Sequence, residues 1–187
     1  MYYEGYKFTE HTVSELSAVG APTRMLWVWL VNIYTITAIL FALGAIRSSQ
    51  GNKKLYISGI LLLIYGFTGL IWPFAPMHQR EVLAAGGGNF SDTMHLTLAM
   101  ITVLLMTFAI GFGAAALGIK FRVYSILTLI ALLIFGLLTS MDAPNVAANL
   151  PTPLAGVWER INIGVFLLWV VVLAVLLLRQ ESVQVKR

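Results

Sequence analysis

Five apolar runs of roughly 20 residues dominate this 187-residue chain. About 20 apolar residues is the length at which a helix crosses the hydrocarbon core of a bilayer. The first run, "MLWVWLVNIYTITAILFALGAI", holds no charged residue. Hydrocarbon offers backbone N–H and C=O groups no water, so a spanning segment must satisfy them within itself. The runs predict helices at 25–46, 55–77, 93–117, 123–141 and 161–178. The two-residue alternation of a membrane barrel strand occurs nowhere. The predicted fold class is therefore all-α: a polytopic transmembrane helix bundle. Composition agrees, with 59% hydrophobic and only 11% charged residues, against about 25% charged in an ordinary soluble domain. The absence of cysteine excludes disulfides, thiolate nucleophiles and iron–sulfur ligation.

Charge distribution predicts orientation. Arg47, Lys53 and Lys54 lie between the first two runs, Lys120 and Arg122 between the third and fourth, and Arg179, Lys186 and Arg187 after the fifth. The positive-inside rule makes these segments cytoplasmic. Glu4, Glu10, Glu15, Glu81, Asp92, Asp142 and Glu159 all fall on the other side. This reading puts the N-terminus outside and the C-terminus in the cytoplasm. It divides the chain into an extracytoplasmic segment 1–24, one transmembrane domain 25–179 and a cytoplasmic tail 180–187. The net charge of +4 is thus an orientation signal, and no nucleic-acid partner is needed to explain it. Trp27, Trp29, Trp72, Phe74 and Trp158 mark the outer ends of spans, where amphipathic rings favour the headgroup level. Trp169 lies deeper and is expected to pack between helices.

The longer connections, "HQREVLAAGGGNFS" and "DAPNVAANLPTPLAGVWER", share the outer side with the N-terminal segment. All three histidines, His11, His78 and His95, are expected there as well. Imidazole is the commonest metal ligand, so these three with nearby carboxylates are candidate zinc ligands. No pair has HExxH-type spacing, and the alternative for His11 and His78 is a solvated loop position. His95 falls one turn inside the third run, with Asp92 three residues earlier on the same face. Asp92 is expected either to orient that imidazole or to cap the helix. Glu159 and Arg160 open the fifth run. Glu159 suits a helix N-terminus. Arg160 is a candidate to snorkel to lipid phosphate or to pair with Glu15 or Asp142. Asn32, Tyr34, Thr35 and Thr37 are expected to bond between helices, and "GFGAAALG" at 111–118 is a small-residue face for close helix approach or homo-oligomer contact. The doubled proline of "WPFAP" is expected to end the second helix. No span carries a mid-depth charge, which disfavours an ion-coupled permease.

The order of "HTVSELSAVGAP" before a span, "MH" at the start of a central span and "GVWERI" opening the last resembles the family called domain of unknown function 998. The resemblance covers nearly the whole chain. Chains of that family have about six membrane helices, one of them ahead of the "SEL" stretch. This chain, starting at that stretch, is expected to lack that first helix, and the resemblance implies no reaction. It draws attention to Ser14, Glu15, His95, Glu159 and Arg160 as ligand-binding candidates. The sequence thus predicts a multi-pass protein of the cell membrane with a polar extracytoplasmic pocket for a lipid headgroup or small amphiphile. The alternative is an intramembrane zinc hydrolase using His95, Asp92 and Glu159 as catalytic residues. Whether the chain is an enzyme stays open at this point, and membrane lipids are the expected partners.

Overall fold

The computed structural model describes residues 3–184, and side chains through residue 180. Lys186 and Arg187, part of the expected cytoplasmic tail, lie outside the described residues. The elements are α1 (Arg24–Arg47), α2 (Lys53–Gly69), the short α3 (Arg80–Ala84), α4 (Phe90–Ala116), α5 (Ile119–Ala147) and α6 (Ala155–Gln184). No strand occurs among the described residues. Five helical stretches are long and apolar enough to cross a membrane, so the protein is a multi-pass membrane bundle.

Neighbours follow chain order. α1 packs on α2, α2 on α4, α4 on α5 and α5 on α6, whereas α1 and α6 touch only sparingly. Each helix buries one stripe. On α6 it is Asn162, Phe166, Trp169, Leu173 and Leu177, at the three- and four-residue steps that keep side chains on one face. Leu30, Ile33, Leu40, Leu127, Leu137 and Leu178 stay exposed, as suits faces turned to lipid. Because lipid tails are as apolar as leucine, helix association rests on close packing and hydrogen bonds between helices. Ser58 Oγ donates to the Ala109 carbonyl at 2.8 Å, Asn162 Nδ2 to Leu132 at 2.6 Å and Trp169 Nε1 to Ser125 Oγ at 2.8 Å. Trp169 is fully buried, as the sequence led us to expect. Tyr34 and Tyr65 join α1 to α2 at 2.8 Å, but Thr37 bonds only its own helix, at the Ile33 carbonyl. Within the small-residue run, Gly113 lies against Trp169 and Ser58, so this face serves packing inside the bundle.

Several boundaries differ from the sequence reading, including the start of α5 at Ile119 and the end of α6 at Gln184. α2 ends at Gly69, eight residues before the expected 77, and a 3₁₀ turn at Trp72–Phe74 follows. Pro73 cannot supply the N–H that a continuing helix needs. α5 runs past 141 to Ala147 with Pro144 inside it. The Leu150 N–H then closes back on the Asn145 carbonyl at 2.8 Å. α6 starts at Ala155, six residues before the expected 161. Its first turns are polar because they are covered by protein, a condition that hydropathy does not report.

Gly59 and Gly66 let α1 and α2 approach closely. A Cβ at Gly66 would lie 2.7 Å from Ile39 Cγ1 and 3.3 Å from the Ile39 backbone nitrogen. Gly66→Leu is therefore expected to lower unfolding stability in detergent by about 1–3 kcal/mol, the usual cost of overpacking. Gly44→Leu, with open space around its Cβ position, is expected to stay within about 0.5 kcal/mol. Equal thermal melts for the two variants would contradict this close packing.

Candidate functional site

One end of the bundle is capped. The cap consists of the N-terminal segment, the connection holding α3, and the short link between α5 and α6. It begins with a local motif. The Glu15 N–H donates to Thr12 Oγ1 at 3.3 Å, and the Thr12 N–H donates to Glu15 Oε2 at 2.6 Å. This Thr-x-x-Glu reciprocity is the bonding pattern of a capping box, and it sets the 3₁₀ turn Ser14–Ser17.

That turn is seated on the first turns of α6. Glu159 accepts from Ser14 Oγ at 2.8 Å, from the Ser14 N–H at 3.3 Å and from the Val13 N–H. Arg160 donates to the Phe8, His11 and Gly156 carbonyls at 2.9, 3.0 and 2.7 Å and to the Tyr6 hydroxyl. Its guanidinium also lies 4.0 Å from the Phe8 ring centroid, a cation–π contact. A Cβ at Gly156 would collide with the carbonyl oxygens of Phe8 and His11. The motif "GVWER" is thus a seat for backbone. Arg160 neither snorkels nor pairs with Glu15 or Asp142, because its donors are already engaged by backbone carbonyls that lie nearer.

Glu15 turns the other way, to Arg80 of α3. Nε and Nη2 of Arg80 reach its two oxygens at 2.5 and 2.9 Å. Arg80 also donates to Thr152 Oγ1 at 2.8 Å and to the Glu10 carbonyl at 3.0 Å. Arg80 and Thr152 are site residues the sequence reading missed, since nothing local marks partners 65 residues apart. The Thr12-x-x-Glu15 spacing was the one legible signal of the turn itself.

The histidines stay apart. His11 Nδ1 accepts from the Lys7 N–H at 3.0 Å. His78 is not a solvated loop residue: its Nδ1 lies 2.8 Å from Asp92 Oδ2, and its N–H reaches Oδ1 at 2.7 Å. Asp92 also accepts from the Asn89 N–H at 2.8 Å, as part of a capping box on α4. Both Asp92 oxygens are thus used by the cap and by His78, and its expected bond to His95 is not made. His95 is buried, with Nδ1 2.8 Å from the Ala75 carbonyl and its ring edge-on to Trp72. Among the described residues no group of three His, Asp or Glu side chains is placed to hold a metal. The candidate zinc ligands of the hydrolase alternative are therefore not brought together there.

Under the cap lies a cavity of about 460 Å³ between α1, α2, α4 and α6. Ser14, Arg24, His95 and Glu159 line it, whereas Glu15, Asp92 and Arg160 do not. Most of its wall is apolar, and Trp27 and Trp72 contribute to it. The hydroxyl oxygens of Thr35 and Thr102, both residues of the wall, are buried without a hydrogen-bond partner among the described residues. At the seam between the sparingly touching α1 and α6, Leu30, Tyr34 and Leu167 are both cavity lining and exposed to the surroundings of the bundle.

The Glu15–Arg80 pair has a pH consequence. Burial disfavours the Glu15 carboxylate, but bonds from Arg80 and Thr12, together with the Arg80 charge, outweigh it and hold the pKa below the ordinary carboxylate range. A depressed folded-state pKa contributes stability above the unfolded value, and that stability is lost as pH falls through the folded value. Thermal stability is expected to fall below about pH 5. Glu15→Gln is expected to cost about 3–5 kcal/mol at neutral pH, because it leaves Arg80 buried and unpaired, and to flatten the acid dependence. A neutral-pH melt of that variant matching the unchanged protein would refute the pair's role.

Neither a curated protein nor a solved structure matches the chain. The family described as "Protein of unknown function (DUF998)" matches residues 1–176. The "SEL" and "GVWER" stretches that suggested this family are bonded partners in the cap, and the chain belongs to the DUF998 family.

Proposed function

We propose that this protein binds one lipid or small amphiphile in the capped cavity, with the apolar part in the wall of α1, α2, α4 and α6 and the headgroup beneath the N-terminal segment. The observation that carries this reading is a mostly apolar cavity of about 460 Å³ whose charged lining residues, Arg24 and Glu159, both bond the N-terminal segment at the capped end. Sites for small molecules have this composition, mostly apolar with a few polar groups that fix orientation. The seam between α1 and α6 supports access from the bilayer, since its exposed lining residues are Leu30, Tyr34 and Leu167. The basic residues at the opposite ends of the helices support an extracytoplasmic cap in the cell membrane.

Ala99 lies in the wall, and Ala99→Phe fills space there. Native mass spectrometry of protein released from lipid nanodiscs is expected to show a one-to-one lipid complex that the variant loses. An unchanged complex in a folded Ala99→Phe protein would count against the cavity as the site. The orientation is tested separately in this cysteine-free chain. Thr9→Cys at the exposed cap surface is expected to react with an impermeant maleimide in intact cells, and Gly118→Cys at the exposed α4–α5 turn only after permeabilisation. The reverse pattern would invert the topology.

A further inference from the structure

Arg24 and Glu159 are the charged side chains that line the cavity, and the protein treats them differently. Glu159 is engaged. Its oxygens receive bonds from Ser14 Oγ, the Ser14 N–H and the Val13 N–H, and the cation Arg160 follows it in the chain. Elsewhere in the cap, Glu15 holds Arg80, Glu10 holds Lys7 and Asp92 holds His78. These carboxylates are occupied by partners other than Arg24.

Arg24 is left open. A guanidinium carries five N–H donors. Arg24 spends one at Nη1 on the Ser17 carbonyl at 2.7 Å and one at Nη2 on the Pro73 carbonyl at 3.3 Å. The rest have no acceptor among the described residues. Both acceptors are neutral, and no carboxylate among the described residues lies within ion-pair distance. The charge is therefore uncompensated. An arginine at a helix end ordinarily snorkels to the interface, but these two bonds tie Arg24 to the turns Ser14–Ser17 and Trp72–Phe74, against the cavity. A cation beside apolar walls is costly unless an anion meets it. The open hydroxyls of Thr35 and Thr102 both donate and accept, so they favour neither sign of charge.

We infer that the cavity selects an amphiphile with an anionic head, whose phosphate or carboxylate oxygens accept from the open donors of Arg24 while its chain runs along the apolar wall. This rests on the amphiphile-binding reading above and names the class of ligand. Arginine bonds to such oxygens are charge-assisted and roughly twice as strong as neutral ones. An uncharged head leaves the guanidinium uncompensated, and a cationic head is repelled by it. The wall accommodates an extended chain. On α1 the lining runs from Arg24 to Ala38, a depth of about 21 Å at the helical rise per residue.

The test uses four probes with chains of equal length: dodecyl phosphate, dodecanoate, the zwitterion dodecylphosphocholine and uncharged dodecanol. Binding to the purified full chain in an uncharged detergent is read by native mass spectrometry, as displacement of the co-purified lipid. The better of the two anions is expected to bind at least about tenfold tighter than dodecanol and dodecylphosphocholine. The order of dodecyl phosphate and dodecanoate tells a phosphate head from a carboxylate head. Arg24→Gln removes the charge and is expected to cancel the anions' advantage, while Arg24→Lys keeps part of it. Because Arg24 also ties two turns of the cap, a purely structural role would weaken all four probes alike. That outcome, or dodecanol or dodecylphosphocholine matching the better anion, would overturn the anionic head and leave amphiphile binding standing. Failure of both anions to displace an Ala99→Phe-sensitive lipid would do the same, and absence of any such complex would remove the parent reading as well. If Arg24→Gln does not fold, the ranking of the four probes on the unchanged protein decides the matter.

Discussion

The Glu159 carboxylate, at the cap end of α6, holds the polypeptide that roofs the bundle. It gathers the Val13 and Ser14 backbone N–H groups and the Ser14 hydroxyl, while Arg160 beside it gathers carbonyls from Phe8 and His11. One acidic and one basic side chain thus satisfy donors and acceptors of a segment with little regular structure of its own. Gly156 allows that segment to lie directly on the helix. Without this seat, the turn at Ser14–Ser17 would lose its fastening to α6.

The second fastening is of a different kind. Glu15 and Arg80 are both buried, and such a pair is costly to desolvate unless its remaining donors are engaged. Here they are, by Thr152 and the Glu10 carbonyl. Three stretches distant in sequence meet at this arginine, so the cap is tied across the bundle as well as down onto α6. The cavity beneath has a roof fixed at two points and a flank at α1 and α6 where contact is slight.

Much of the fold was legible because lipid as solvent enforces it. Runs of apolar residues had to be helices, and their number and approximate centres follow from length alone. The ends were less legible for a physical reason. The start of α6 carries polar residues that bond the N-terminal segment lying over it, and hydropathy treats a residue shielded by a neighbouring segment as if water surrounded it. Pro144 illustrates the same limit, since a helix near its end tolerates a proline that a sequence reading takes as a stop. Among the candidate residues, Ser14, His95 and Glu159 meet at one cavity, whereas Glu15, Asp92 and Arg160 serve the scaffold.

By itself the sequence determined that this chain is an all-helical membrane bundle with its charged residues confined to the connections and helix ends. That follows from segregation along the chain, which hydrocarbon converts directly into helices. Only the tertiary structure decided which polar groups are spent on one another and which remain open. Ser14 meets Glu159 across 145 residues and Glu15 meets Arg80 across 65. Contacts at such separations leave no periodic trace in a sequence, because they depend on how helices come together and not on how any one of them forms.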